Sequence, residues 1–289
     1  MIRVIMRGRT GNNLFQYALG RVLSRRHGSR LVMDGSLFRA DDWRAASRIR
    51  RLPIRAEVRR GMSLASRAVR KFTGRHPREF LGLPVIREPA GDTSFHAEFL
   101  DAPGHCVLSG FFQSPRYFHP IEDELRRELD LSTLSWPESI RDQARALAEA
   151  ETVAVHVRRT DFVGREVFDV CGMGYYRRAM ARMRESLDRP RFCVFSDDPG
   201  WCAAHFEAQD IVVMPLPDAP DDPLHDLYLM SCARHHIIAN SSYSWWAAWL
   251  GKHPQQIVLT PDRWFGGAEI HAPMKDRLCP GWEMVPTEG

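Results

Sequence analysis

No apolar run in this sequence approaches the roughly 20 residues that a bilayer-spanning helix requires, which excludes a helical membrane protein. Met1-Ile2-Arg3 leads straight into a strand-like run rather than into the charged and apolar regions of a signal peptide, so a cytoplasmic location is expected. The six cysteines, Cys106, Cys171, Cys193, Cys202, Cys232 and Cys279, are dispersed and form no Cys-x-x-Cys pair. Reduced thiols without a metal site follow from that spacing. Internal repeats and low-complexity tracts are absent. Nucleic-acid binding is not expected either, because no recognition motif or aromatic-basic interleaving accompanies the basic charge.

What is present suits a sizeable globular protein. With 289 residues, 44% of them hydrophobic, the chain exceeds the usual size of one domain and can bury two cores. A net charge of +4 conceals an asymmetry: residues 39–78 hold 13 Lys+Arg against 3 Asp+Glu, net +10, and the remainder is at −6. Within that segment Val58, Met62, Ala65, Val69 and Phe72 recur at helical spacing among Arg59, Arg60, Arg67, Arg70 and Lys71. The pattern predicts a basic amphipathic helix, either a solvated cover for the N-terminal domain or a peripheral contact with anionic lipid at the inner face of the membrane.

Arg3 to Met6 reads as a strand, Gly8 to Asn12 as a glycine-containing turn, Asn13 to His27 as a helix and Leu31 to Met33 as the next strand. This is the start of a βαβ unit. Gly8 and Gly11 would let backbone approach a ligand there, with Asn12 beside them. Cys106-Val107-Leu108 reads as a further strand and Ile121 to Leu129 as a helix. The turn-rich stretch Ser132 to Pro137 places a boundary between Leu131 and Glu151, giving domains 1–140 and 141–289, with a helix over Ser139 to Ala150. Strands at Val153–Val157, Arg191–Ser196, Ile211–Met214, Ile237–Ala239 and Ile257–Thr260 alternate with helical segments. That alternation predicts an α/β domain with a parallel sheet covered on both faces.

Two blocks carry chemistry. Val153-Ala154-Val155 runs into His156-Val157-Arg158-Arg159-Thr160-Asp161, placing two adjacent arginines at a strand exit. Open α/β sheets bind ligands at that edge. Guanidinium forks match phosphate oxygens, so a diphosphate pocket is one reading of the pair, and pairing with surface carboxylates is the other. Further on, Ile237-Ile238-Ala239-Asn240-Ser241-Ser242 leads into a segment with Tyr243, Trp246 and Leu250 at helical spacing. A helix start offers free N–H groups and a positive dipole end to an anion, although Asn240, Ser241 or Ser242 would equally serve as an ordinary N-cap.

Five segments in order resemble the inverting α-1,2-fucosyltransferases that use GDP-fucose, glycosyltransferase family 11. Gly8-Arg9-Thr10-Gly11-Asn12-Asn13-Leu14-Phe15-Gln16-Tyr17-Ala18 is similar to a Gly-Gly-Leu-Gly-Asn-Gln-x-Phe-Gln-Tyr-Ala signature. Gly110-Phe111-Phe112-Gln113-Ser114 resembles a Gly-Tyr-x-Gln-Ser segment. The arginine block, Phe195-Ser196-Asp197-Asp198 with Trp201, and Asn240-Ser241-Ser242-Tyr243-Ser244-Trp245-Trp246 complete the series. The chain departs from that pattern at Thr160, where the family has Gly, and at Arg9-Thr10, which replaces Gly-Leu. Arg158-Arg159-Thr160-Asp161 is more like the α-1,6-fucosyltransferases, so the linkage stays open between the two. A catalytically silent GDP-sugar binder is the alternative outside enzymes.

The resemblance implies a GT-B-like fold of two facing Rossmann-like domains, GDP-fucose as donor substrate with no cofactor, and an oligosaccharide or lipid-linked glycan as acceptor. Asp-x-Asp, the pair with which many such enzymes hold a metal, is absent from the sequence. Arg158, Arg159 and the Ser241–Ser242 helix start are expected to take its place on the donor phosphates. His156 and Asp197 are expected in the same pocket, the latter at the nucleotide or at the start of the next helix. Guanine presents an N1–H and a 2-amino group that one carboxylate can accept together. Asp226, 16 positions before Ser242, stands at the offset of the guanine-binding Asp in the α-1,6 enzymes, and could instead cap the Leu227–Arg234 helix. Glu166 lies ten residues after His156, where those enzymes place their catalytic carboxylate, and is the candidate base for the acceptor hydroxyl. Asp161 is its rival, and also suits the orienting of an arginine.

Overall fold

The computed structural model of the chain describes residues 1–60, 82–216, 222–267 and 269–288, which divide into two compact units, Met1–Leu129 and Asp130–Gly289. In the first unit the elements are β1 (Ile2–Ile5), α1 (Thr10–His27), β2 (Leu31–Asp34), α2 (Ala40–Ala46), β3 (Glu57–Arg59), β4 (Val85–Arg87), β5 (Cys106–Ser109) and α3 (Glu122–Glu128). The strands form one sheet in the order β3-β2-β1-β5-β4, parallel throughout. Every residue of β1, β2 and β5 is buried, as in parallel sheets covered on both faces.

Three local expectations shift. The helix after β1 begins at Thr10, so Thr10 to Asn12 form its first turn rather than a loop. Gly8 alone makes the reversal, at φ +69° and against the Asn12 side chain, where a Cβ would collide. Val58 and Arg59 lie in β3, paired in parallel with Met33 and Asp34; the expected helix therefore does not start at Val58, whose burial in the sheet outweighs the helical spacing. Met62, Ala65, Val69 and Phe72 lie outside the described residues.

The unit boundary falls at Leu129/Asp130 rather than 140/141, and packing explains it. On one side Glu128 is drawn into the first unit by Arg21, whose Nε lies 3.0 Å from its carboxylate, and by the Tyr17 hydroxyl. On the other side Trp136 stacks on Tyr228 with ring centroids 5.0 Å apart and donates to the Leu131 carbonyl at 2.8 Å. The turn-rich stretch thus belongs to the second unit.

That unit contains α4 (Glu138–Glu149), β6 (Thr152–Val157), α5 (Met173–Ser186), β7 (Arg191–Ser196), α6 (Pro199–His205), β8 (Ile211–Val213), α7 (Leu224–Cys232), β9 (His235–Ile237), α8 (Ser242–Leu250), β10 (Val258–Pro261) and β11 (Glu283–Val285). Its parallel sheet runs β11-β10-β9-β6-β7-β8. Val153, Val155, Tyr175, Tyr176, Met180, Phe192 and Ile237 are among the residues of its core. The chain winds outward from β6 to β7 and β8, and in the opposite direction through β9, β10 and β11. Strand order reverses between β6 and β9, the position at which open α/β sheets leave a crevice at the carboxyl ends of their strands. The β9 ladder ends at Ile237, so Ile238 and Ala239, expected in the strand, deliver Asn240 to that crevice. Both units are Rossmann-like, as expected. No helix among the described residues is long and apolar enough to cross a membrane.

A buried ion pair joins β1 to β2: Arg3 Nη1 lies 2.9 Å from Asp34 Oδ2, with the two side chains 7% and 1% exposed. Removing one partner leaves the other charge buried and poorly compensated, which costs about 3 to 5 kcal/mol. Asp34→Ala is therefore expected to lower the urea-unfolding free energy of the first unit by that amount, and a loss below about 1 kcal/mol would contradict it.

Candidate functional site

The crevice is built from the turn after β6, the turn after β7 and the start of α8. Val157 ends β6 in register with Ser196 of β7, which sets the arginine turn beside Asp197 and Asp198. Asp197 accepts from the Arg159 N–H at 2.9 Å, the Thr160 N–H at 3.2 Å and the Thr160 hydroxyl. Arg158 Nη1 lies 2.9 Å from the same carboxylate. Burial pushes the Asp197 carboxyl up, but the Thr160 hydroxyl, the Arg158 charge and the Arg159 N–H outweigh it and hold its pKa below the ordinary value.

Arg158 is 15% exposed and lies between two acids. Its Nε donates to Asp161 Oδ1 at 2.7 Å, and its Nη1 pairs with Asp197. Asp161 thus orients the arginine, one of the two roles open to it. All three guanidinium nitrogens face carboxylates, Nη2 lying 2.6 Å from Asp161 Oδ1. Arg159 is fixed differently: its Cζ lies 3.6 Å from the centroid of Trp201, and Nε donates to Asp198 Oδ2 at 3.3 Å. Asp198 also caps α6 through the Trp201 N–H. Trp201 stacks in turn on His205 at 4.0 Å.

His156, 5% exposed, sits between this turn and α8. Burial, and then the Arg158 charge, push its pKa down to about 3. It is a neutral imidazole whose Nδ1 is buried and finds no hydrogen-bond partner among the described residues. Its ring lies 5.8 Å from that of Tyr243 in the first turn of α8. Ser241 is the N-cap of that helix and accepts from the Tyr243 N–H, and Ser242 is its first residue. The Tyr243 hydroxyl donates to the Pro223 carbonyl at 2.6 Å, linking α8 to the start of α7. Its part in the site was hidden in the sequence, where helical spacing marks it only as core.

Asp226 lies in the first turn of α7, which begins at Leu224 rather than at Leu227. Asp222, not Asp226, accepts from the Leu224 N–H, so the capping alternative for Asp226 does not apply. Its Oδ1 lies 2.7 Å from His225 Nδ1. Asn240 is 4% exposed and donates to the Phe168 and Trp264 carbonyls, each at 3.0 Å. Those bonds spend both amide hydrogens on backbone, which removes them from the donor contact expected of Asn240. Glu166 is exposed on the loop between β6 and α5, at a cavity of about 450 Å³ that Asp169, Arg263 and Gly266 also line.

Gly11 and Asn12 lie in the first unit, in the first turn of α1. Asn12 Oδ1 accepts from Gln113 Nε2 at 2.6 Å, and Gln16 Nε2 donates to the Gly110 carbonyl at 2.9 Å. The polar residues of the two N-terminal motifs therefore tie the β1–α1 loop to the segment after β5. The second unit brings together His156, Arg158, Arg159, Asp161, Asp197, Ser241 and Ser242. Among the described residues no group of three or more His, Cys, Asp or Glu side chains is placed to hold a metal ion.

A model of glycosyl transferase family 11 matches residues 94–285. An alpha-1,2-colitosyltransferase of Escherichia coli is 28% identical over 286 residues, covering 92% of this chain and 92% of that protein. The O-antigen biosynthesis glycosyltransferase WbnK of Escherichia coli is 27% identical over 287 residues, covering 90% and 93%. Among solved structures, the fucosyltransferase NodZ from Bradyrhizobium is 16% identical with a TM-score of 0.48, covering 85% of this chain and 92% of that one.

The neutral His156 makes stability depend on pH in one direction. An unfolded histidine takes up its proton near pH 6.5, whereas His156 in the folded chain waits until about 3. The unfolded state therefore binds more protons in that window, and stability present above 6.5 is lost as pH falls. Each such histidine contributes a slope of about 1.4 kcal/mol per pH unit. Urea unfolding between pH 6 and 4 is expected to show a slope shallower by about that amount in His156→Gln; an unchanged slope would show that His156 is not held neutral.

Proposed function

The chain belongs to glycosyl transferase family 11, and from that premise we propose that it transfers L-fucose from GDP-β-L-fucose with inversion and without a metal. The acceptor is a saccharide hydroxyl, O2 of a galactose in particular, in glycan, O-antigen or exopolysaccharide synthesis. The observation that carries this reading is the meeting of Arg158, at the end of β6, with the Ser241–Tyr243 start of α8 at the strand-order reversal. Donors of both kinds there suit the oxygens of a leaving diphosphate.

In the transfer the acceptor oxygen bonds to C1 of the sugar as the bond from C1 to the β-phosphate oxygen breaks, and its electron pair leaves with GDP. Charge grows on that oxygen, where Arg158 and the α8 N–H groups stabilise it. The acceptor proton passes to the Glu166 carboxylate on the opposite face. Arg159, held over the Trp201 ring, adds positive charge without having to be ordered at the moment of reaction. Asp226 is assigned to the guanine N1–H and 2-amino group. The basic charge of residues 39–78 suits an anionic surface that presents a lipid-linked acceptor.

Colitosyl transfer is the second reading, favoured by the likeness to the colitosyltransferase of Escherichia coli over 92% of the chain. Colitose is fucose without one hydroxyl, so the phosphate chemistry is unchanged. Incubating the protein with GDP-fucose or GDP-colitose and galactoside acceptors, with GDP release and product linkage as readouts, separates the two readings. It also separates α-1,2 from α-1,6 transfer, and either from silent binding, which releases no GDP.

Arg158→Ala is expected to lower kcat by about 100- to 1,000-fold while the fold survives, because one preorganised donor to the developing charge is lost. Turnover within about threefold of wild type would remove Arg158 from the phosphate site. Chelation tests the other half of the mechanism. Activity is expected to persist in EDTA, and loss of more than about 90% that manganese restores would assign the leaving-group charge to a metal.

A further inference from the structure

Three segments of the second unit that are remote in sequence meet at one side-chain amide. Asn240 ends the turn between β9 and α8, and its Nδ2 donates to the carbonyl of Phe168 on the loop after β6 and to that of Trp264 on the loop after β10. Around it the two loops join directly. The Gly266 N–H donates to the Val167 carbonyl at 2.9 Å, and Phe168 meets Phe265 edge-on at 5.8 Å. Phe168 also stacks on Phe162 at 5.2 Å, four residues from the phosphate-site Arg158.

Gly266 is needed for that closeness. A Cβ on it would fall on the Glu166 carbonyl oxygen, well inside van der Waals contact. Backbone cannot yield there as the end of a flexible side chain could. The Glu166 side chain is exposed, yet its main chain is held from both sides: by Gly266 against its carbonyl, and by the bonds to Val167 and Phe168 immediately after it. A carboxylate that must take a proton from a bound hydroxyl gains from such fixing, since misplacement by about 1 Å can cost about 100-fold in rate.

We propose that Asn240 and Gly266 are positioning residues for the transfer step, clamping the loop of residues 164–170 so that the Glu166 carboxylate meets the acceptor hydroxyl. The clamp rests on the assignment of Glu166 as base and acts on the reaction only through it. Neither side chain is assigned to the donor: the Asn240 amide hydrogens are committed to backbone, and Gly266 has no side chain.

A double-mutant cycle tests this. Gly266→Ala and Asn240→Ser are each placed in the wild-type and Glu166→Gln backgrounds, and kcat, GDP-fucose affinity and Tm are measured. Glu166→Gln alone is expected to lower kcat by about 100-fold or more. With Glu166 present, each clamp variant should lower kcat by about 10- to 100-fold, leaving GDP-fucose affinity within about twofold. In the Glu166→Gln background the further loss should be below about twofold, since no base remains to be misplaced. Equal losses in the two backgrounds, a near-normal kcat for both clamp variants, or weakened GDP-fucose binding in Asn240→Ser overturns the clamp and leaves Glu166 as base. A near-normal kcat for Glu166→Gln alone overturns the base and the clamp with it. Should Gly266→Ala fail to fold, the Asn240→Ser arm of the cycle decides.

Discussion

The Asp197 carboxylate holds the arginine turn in place, and the arrangement of the site depends on it. It stands at the end of β7, one strand over from the turn, and accepts from the Arg159 and Thr160 backbone and from the Thr160 hydroxyl while pairing with Arg158. Two adjacent arginines would otherwise repel in a turn with no regular ladder to fix it. With Asp161 and Asp198 included, three carboxylates face two guanidiniums, so the turn is charge-compensated before any ligand arrives. For the diphosphate proposed above, the turn would matter through direction rather than net charge, because the arginines are already oriented by the chain itself. Ordering that would otherwise oppose binding is completed when the chain folds.

The sheets were legible in the sequence because buried parallel strands are short apolar runs, and Val153 to Val157 and Arg191 to Ser196 read as such without tertiary information. Where local pattern and long-range packing disagreed, packing prevailed. Val58 has helical spacing but pairs with Met33. The stretch Ser132 to Pro137 looks like a linker but is held by Trp136 on Tyr228. In both cases the deciding partner lies far away in the chain, where no window of sequence could register it.

The site was legible in a more restricted sense. Residue type and strand-end position located Arg158, Arg159 and the Ser241–Ser242 helix start, because those arguments are local. What each side chain does within the group depends on geometry. Asn240 has the composition of a cap and the position of a phosphate ligand, yet its amide spans carbonyls 72 and 24 residues away. Gly266 carried no motif at all, since a close approach of two loops leaves no signature beyond a glycine.

Thr160 shows how a departure from a motif can be read once the partners are visible. The family pattern has Gly there, and a side chain in that turn could be taken as a sign that the pocket has closed. Its hydroxyl instead donates to Asp197, the carboxylate that already receives the backbone N–H of the same residue. A glycine would leave that oxygen with one donor fewer and the turn with more conformational freedom. The threonine therefore reinforces the brace on which Arg158 depends, and the side chain that most separates this turn from the family pattern acts in the direction of keeping the arginines in place.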